Sequence, residues 1–179
     1  MSSFLQVSKL KKVFVILITL LGGFSCYAQK SIDFGLGTSV SIGFQNEWAL
    51  QLKSQYHFQE KWALYADYNL YFRRDVEAQN TEKYHEFGLG ANYKIISFSN
   101  IDLYGGAGYL VNNFPIQNNN PDTSNLYFTT GSLNHSAQLK LAGTYPLGKK
   151  TLIYSELNIK SLGRRYDTFA FGLIYRLAN

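Results

Sequence analysis

The sequence predicts an all-β protein: an eight-stranded antiparallel, up-and-down transmembrane β-barrel preceded by a cleaved signal peptide. Three observations lead to this fold class. The N-terminus is basic and then apolar; apolar and polar residues alternate from residue 34 onward; and the charges within the alternating segments share one face. No convincing helical stripe interrupts the alternation, so the chain after its N-terminal segment is predicted to consist of strands and their connections.

Residues 1–28 have the order of regions that is typical of a secretory signal peptide. Lys9, Lys11 and Lys12 precede an apolar run, and Cys26 and Ala28 occupy the small-residue positions before Gln29. The apolar run is far shorter than the ~20 residues that a spanning helix needs, so we expect it to be removed. A lipid-modified Cys26 is the alternative, but Gly23 stands where a resemblance to a lipobox would require leucine. Cleavage leaves one domain, residues 29–179.

The composition excludes several classes of function. Cys26 is the only cysteine and leaves with the signal, which excludes disulfides and cysteine-based metal or nucleophilic sites from the mature chain. The mature chain carries 14 basic and 12 acidic residues, and this net charge of +2 gives no support for nucleic-acid binding. Charged residues make up only 16% of the chain, against ~25% in soluble domains. A solvated surface would need more charge.

Eight segments alternate with period two, each about as long as a tilted strand that crosses an outer membrane. They are predicted at 34–44, 48–58, 62–73, 84–95, 101–111, 133–145, 151–161 and 168–177. The connections 59–61, 97–100 and 146–150 are short, whereas 74–83 and 112–132 are long. With the N-terminus in the periplasm, the short connections fall on the periplasmic side and the long ones outside, as in transmembrane barrels.

Ten charged residues within these segments fall on the face opposite the apolar side chains. They are Lys53, Asp67, Arg73, Glu86, Lys94, Asp102, Lys140, Glu156, Lys160 and Arg176. A lysine or arginine that faces lipid at the midplane costs about 2–4 kcal/mol, and all ten charges share one face, so we place all ten in the lumen. An eight-stranded barrel is just wide enough to be filled by side chains, and these charges are predicted to pair as a plug. A narrow ion-conducting path is the alternative.

Aromatic residues concentrate toward the ends of the segments. One predicted rim carries Phe34, Phe58, Trp62, Tyr93 and Tyr175, and the other carries Phe44, Trp48, Phe72, Phe87 and Phe169. This arrangement indicates the aromatic girdles that lie at the two lipid headgroup layers. A soluble lipid-binding barrel with aromatics inside is the alternative, but the charged face also carries many glycines and alanines, which suit a crowded interior.

The whole mature chain resembles the small outer-membrane barrels of the OmpA/OmpX type. The resemblance rests on the eight segments, the alternating loop lengths and the aromatic last strand from Thr168 to Leu177. It implies export through the Sec pathway, an outer-membrane location, assembly by the barrel-assembly machinery, contact with outer-membrane lipid and lipopolysaccharide, and a monomer. We expect the barrel alone, without a periplasmic domain. The last residues, Ala178 and Asn179, depart from the terminal aromatic common in the family.

Three classes of function remain open: a structural or surface-recognition barrel, a small pore, and a lipid A acyl hydrolase, in that order. The loop 112–132 is the candidate site for a surface ligand, and Arg164 and Arg165 could meet lipopolysaccharide phosphates. The hydrolase requires His135 and Ser136 together, but adjacent strand residues point to opposite faces. His57 and His85 are isolated from each other. No catalytic, cofactor or metal site is therefore predicted.

Overall fold

The computed structural model describes residues 31–43, 47–75, 80–114, 127–162 and 166–177. The predicted signal peptide, Phe44, residues 115–126 of the predicted ligand-binding loop, and Arg164 and Arg165 of the predicted last external loop lie outside these ranges. The described residues form nine strands: β1 Ser31–Ser41, β2 Glu47–His57, β3 Trp62–Asp75, β4 Asn80–Phe98, β5 Ile101–Asn112, β6 Tyr127–Thr130, β7 Leu133–Pro146, β8 Thr151–Lys160 and β9 Thr168–Arg176. Within the same ranges, no helix has the length and apolarity to span a membrane.

Eight of these strands close into a barrel. Every pairing is antiparallel, and the order around the wall is β5-β4-β3-β2-β1-β9-β8-β7, with β5 paired to β7. β1 and β9, the first and last strands in the sequence, are paired from Asp33 opposite Arg176 to Ser41 opposite Thr168. Closure leaves these wall strands without a free edge. The predicted eight-stranded antiparallel barrel is confirmed.

The two ends of the barrel differ in length. The near rim contains the start of β1 and the turns around residues 58–61, 99–100 and 147–150, where Ser99 has a positive φ of 57°. At the opposite end, the far rim, β3 and β4 stay paired up to Asp75 opposite Asn80. The short strand β6 pairs with β7 beyond the end of β8. At the far rim, β3, β4 and β7 therefore extend the wall beyond the ends of the other strands, with β6 paired to β7.

The predicted long connections were wrong at their boundaries. Most of 74–83 is strand, because the β3–β4 ladder continues to Asp75 and Asn80. The predicted loop 112–132 loses its last residues to β6 and to the turn at Gly131, whose φ of 61° suits glycine. Hydrogen bonding between strands continues where the apolar alternation stops, so the periodicity that marks lipid-facing segments ends before the strands do.

The wall is apolar outside and polar inside. Leu36, Leu52 and Leu139 are 62%, 54% and 59% exposed on the outer face, whereas Gln51 and Glu156 are each 1% exposed in the lumen. A soluble protein has the reverse distribution, because apolar side chains leave water on folding. An outer surface of this kind is stable in hydrocarbon, which is the arrangement of transmembrane barrels.

Candidate functional site: the filled lumen and the far rim

Four charged side chains from four strands meet at the centre of the lumen, and we call them the central ion cluster. Lys53 contacts Glu156 and lies 3.9 Å from the Asp67 Oδ1 atom. Lys140 contacts Asp67, and its Nζ atom lies 3.5 Å from Glu156 Oε2. All four side chains are buried. Two cations alternate with two anions, so the cluster is neutral and each buried charge has an opposite neighbour to offset its lost hydration.

Tyrosines and amides fill the space around the central ion cluster. Gln51 Nε2 donates a hydrogen bond of 2.8 Å to Glu156 Oε1, and the Tyr154 hydroxyl donates one of 2.6 Å to Gln51 Oε1. On the other side, Gln138 Nε2 donates to the Tyr65 hydroxyl at 3.0 Å. The Lys140 ammonium lies 3.9 Å from the centre of the Tyr65 ring. The lumen at this level is occupied by hydrogen-bonded side chains.

Glycines make room for the two tyrosines. The Tyr65 hydroxyl lies against the backbone of Gly108, where a Cβ atom would collide with it. The Tyr154 hydroxyl lies in the same way against Gly37. A strand glycine often marks such a close approach, and here the missing side chain lets a large ring lie over the intervening strand and reach the second strand along the wall.

Alanine at position 108 is expected to destabilise the barrel by about 1–3 kcal/mol, the usual cost of overpacking. The added Cβ atom would meet backbone atoms, including the carbonyl oxygen of Leu89, as well as Tyr65. Gly143→Ala is the matched control, because a Cβ there would lie 3.4 Å from its nearest neighbour, an ordinary contact. Urea unfolding in lipid vesicles measures both; equal stability of the two variants would contradict the tight fit at Gly108.

A second ion pair lies nearer the far rim. Lys160 Nζ contacts the two carboxylate oxygens of Glu86 at 2.7 and 2.9 Å and donates to the Tyr71 hydroxyl at 3.1 Å. Asn112 Nδ2 also donates to Glu86, at 3.4 Å. Lys160 and Glu86 are both buried, so their pairing is what makes two charges tolerable at this depth.

An aromatic cap of Tyr71, Tyr84, Phe114 and Tyr166 lies above this pair. Tyr84 stacks on Tyr71 with ring centres 4.5 Å apart, and Phe114 meets Tyr84 edge-on at 4.8 Å. Tyr166 packs on Phe114, which is only 3% exposed although it follows the end of β5. Asn134 Nδ2 holds Phe114 by donating to its carbonyl oxygen at 2.6 Å. The cap covers the ion pair from the far rim.

The structure places the ten predicted charges at three levels: the centre of the lumen, the part of the lumen toward the far rim, which includes Arg73, and the near rim. Lys53, Asp67, Lys140 and Glu156 form the central ion cluster, while Glu86 and Lys160 lie above it. The Arg73 guanidinium lies 5.4 Å from the Phe114 ring centre. Lys94, Asp102 and Arg176 lie at the near rim, and the 3.8 Å pair of Lys94 and Asp102 is 22% and 35% exposed. The buried networks therefore hold six of the ten.

The sequence analysis did not include two acidic residues that the structure places on the inner face of the wall. Asp33 binds Arg176 through two hydrogen bonds, of 3.0 and 3.2 Å, and lies 3.1 Å from His57 Nε2, joining β1, β9 and β2. Glu47 is buried at the start of β2 and accepts a hydrogen bond from Tyr84. The predicted segments began one residue after each of them. Extending the alternation by that one residue would have found both.

The predicted girdle residues that the structure describes lie on the outside of the barrel or at its near-rim turn. Phe34, Trp48, Trp62, Phe87, Phe169 and Tyr175 are exposed, and Phe58, Phe72 and Tyr93 are partly buried. Trp62 packs against Tyr93 near one rim at 4.9 Å, and Trp48 stacks on Phe72 near the other at 4.6 Å. Their position at the headgroup layers of a membrane stays a prediction.

His135 and Ser136 lie on opposite faces of β7. His135 is on the outside, where its Nδ1 atom is hydrogen-bonded to the Tyr109 hydroxyl. Its ring stacks on that of Phe128, with the ring centres 4.7 Å apart. Ser136 is buried inside, opposite Leu110. The two side chains therefore cannot act on one another. Within the described ranges, no three His, Cys, Asp or Glu residues are grouped so that they could hold a metal ion.

Comparison with known proteins gives a clear answer for the fold. No sequence-family profile matches the chain, and no curated protein matches it in sequence. Among solved structures, the chain resembles the Yersinia pestis outer-membrane protein Ail in a phospholipid bilayer nanodisc, with a TM-score of 0.54, 13% identity, and 83% of this chain and 99% of Ail covered. The chain has the fold of the small transmembrane β-barrels.

Two further structures support the same assignment. Neisserial surface protein A matches with a TM-score of 0.54 and 12% identity over 84% of this chain and 96% of its own. A de novo designed transmembrane β-barrel matches with a TM-score of 0.53 and 14% identity over 85% and 98%. A designed barrel shares the architecture as fully as the natural ones, so the likeness concerns the wall of the barrel and does not extend to an activity.

Proposed function

We propose that this transmembrane barrel resides in the bacterial outer membrane, conducts no solute, and recognises a surface partner at its far rim. One observation carries the proposal. The lumen is occupied by the central ion cluster and its tyrosines, whereas the wall is built up at the far rim by the β3–β4 hairpin and β6. With the interior filled, specificity is left to the rim and its loops.

The orientation and surroundings follow from the same proposal. Bacterial transmembrane barrels keep short turns on the periplasmic side and longer loops outside, so the far rim is external. The chain is exported through the Sec pathway, inserted by the barrel-assembly machinery, and surrounded as a monomer by outer-membrane lipid and lipopolysaccharide. The surface ligand is bound by residues 112–132, of which Phe114 is anchored in the aromatic cap.

A pore and a lipid A acyl hydrolase are weaker candidates. Conduction would require the Lys53–Glu156 and Lys140–Asp67 contacts to open, leaving buried charges without partners, which costs several kcal/mol per ion. Hydrolysis would require a serine activated by a histidine, but Ser136 and His135 lie on opposite faces.

Because the lumen is filled, planar-bilayer recordings of the purified barrel are expected to give no reproducible open-channel current. Such a current would contradict the proposal that the barrel conducts no solute.

Replacing residues 116–125 with a short Gly-Ser linker is expected to abolish recognition without unfolding the barrel, because the replacement keeps Phe114 and β6. Attachment of expressing cells to immobilised glycans and matrix proteins measures recognition, and heat-modifiable migration on gels measures folding. Substitution of Leu147 and Gly148 in a near-rim turn by serine is the matched control. Attachment unchanged by the far-rim replacement would favour a purely structural role.

A further inference from the structure

The outer face of the β3–β4 hairpin carries a group of polar side chains, which we call the outer basic patch: Arg74, Thr81, Lys83 and His85. Arg74 lies opposite Thr81, and Lys83 lies two residues further along β4. All four side chains are exposed. Side chains two apart on a strand share a face, and diagonal neighbours across a strand pair lie about 7–8 Å apart. Arg74 and Lys83 can therefore reach one ligand.

Charge is divided between the two faces of this hairpin. Arg73 and Glu82 are opposite one another on the inner face. On the outer face, the described side chains of β3 and β4 include Arg74 and Lys83 but no acid. The neighbouring outer faces of β2 and β5 also carry no acid among their described side chains. Among the side chains that the structure describes on these outer faces, the two cations of the outer basic patch therefore have no acid beside them.

The outer basic patch lies at the upper edge of the apolar wall. Lys83 is opposite Phe72, its ammonium is 5.8 Å from the Phe72 ring centre, and Phe72 stacks on Trp48. Leu70 and Phe87 continue the same outer face toward the middle of the barrel. Aromatic rings of this kind lie at the headgroup level of a bilayer, with aliphatic side chains below them in the hydrocarbon. With the aromatic residues at their predicted headgroup level, the cations lie at the depth of the lipid phosphates.

His85 adds a hydrogen-bond donor to the outer basic patch. Its Nδ1 atom is 2.6 Å from the Tyr68 hydroxyl. A tyrosine that donates to Nδ1 leaves the proton of the neutral imidazole on Nε2, which then acts as a donor. On the same face, Lys83 lies between the Arg74 and Thr81 pair on one side and His85 on the other, so its ammonium can act with the donors on either side, and donors of these kinds suit phosphate oxygens.

We infer that the outer basic patch binds the phosphate of an outer-leaflet lipid of the lipid A type, whose acyl chains lie along Leu70, Phe87 and Leu89. The inference rests on the proposed outer-membrane location and adds the site to it. Positive side chains complement the phosphate charge, and the exposed apolar wall directly below complements the acyl chains. A soluble anion would use only the first of these two features.

The experiment compares purified barrels titrated with diphosphoryl lipid A in detergent, with bound lipid counted by native mass spectrometry. A basic residue near an anionic lipid surface contributes about 1 kcal/mol, so Arg74→Gln and Lys83→Gln are each expected to weaken binding about fivefold and the double variant about thirtyfold. Lys149→Gln with Lys150→Gln, in the near-rim turn, is the matched control with the same loss of charge and is expected to bind as the wild type does.

Three results would overturn the inference: equal weakening in the control, equal affinity of the wild type for dephosphorylated lipid A, or competition by inorganic phosphate at concentrations matched to the lipid. The last of these would assign a site for the free ion. Loss of the lipid site would leave outer-membrane fractionation and the loop-dependent attachment of cells intact. Failure of the inference can therefore be distinguished from failure of the proposed function.

Discussion

Glutamine at position 156 is expected to destabilise the folded barrel by about 3–5 kcal/mol, the cost of removing one partner from a buried ion pair. Glu156 is the anion that Lys53 contacts directly and that Lys140 approaches at 3.5 Å. Without it, two buried ammonium groups share the single carboxylate of Asp67. Glutamine keeps the shape and an oxygen that can accept from Gln51, so the loss reports on charge alone.

Asp102→Asn is the matched control for this substitution. It also replaces a carboxylate with an amide beside a lysine, but Lys94 and Asp102 are 22% and 35% exposed at the near rim. Exposed pairs of this kind contribute less than about 1 kcal/mol. Urea unfolding in lipid vesicles, followed by the fluorescence of Trp48 and Trp62, gives the free energy of unfolding. A Glu156→Gln barrel as stable as Asp102→Asn would mean that the central ion cluster is hydrated.

Arginine in place of Leu52 is expected to destabilise the barrel by about 2–4 kcal/mol in a bilayer, because a cation would face hydrocarbon near the midplane. Leu52 is the central residue of β2 and is 54% exposed on the outer face. In a barrel surrounded by water, the same change at an exposed position would cost little. The experiment therefore tests what surrounds the wall as well as the position of the residue.

Ile32→Arg is the control for depth. Ile32 is the second residue of β1, exposed on the same outer face but at the near rim, where a cation costs about 0–1 kcal/mol. Unfolding in vesicles of defined lipid composition measures both variants. A cost that is the same for Leu52→Arg and Ile32→Arg would show no dependence on depth and would contradict a bilayer around the barrel.

Local pattern was enough to predict which side chains point inward. Lys53, Asp67 and Glu156 could be assigned to the lumen because side chains alternate along any strand, whatever it pairs with. The same rule fails at element ends. Glu47 was missed because the predicted segment began at Trp48, and Arg74 was placed in a loop because the residues after it stop alternating, although β3 remains paired there.

Pairing across the barrel could not be predicted in the same way. Lys53 meets Glu156 over 103 positions of sequence, and Lys160 meets Glu86 over 74. Both contacts depend on the stagger between strands, which is a property of the closed sheet and not of any segment. Phe114 read as part of a polar loop, yet it lies buried in the aromatic cap because Tyr84 and Tyr166 offer it an apolar surface.

The sequence by itself determined the class of fold, the number of wall strands, and the face on which each of the ten predicted charges lies, because these follow from the period of two along single strands. Only the tertiary structure decided which charges pair, that Tyr65 and Tyr154 contact Gly108 and Gly37 over an intervening strand, and that the wall extends at the far rim to carry the outer basic patch. The charge pairs and the Tyr154–Gly37 contact join strands that come near one another only when β1 closes onto β9 and β5 onto β7, whereas the β3–β4 ladder continues to Asp75 and Asn80 because hydrogen bonding outlasts the apolar alternation.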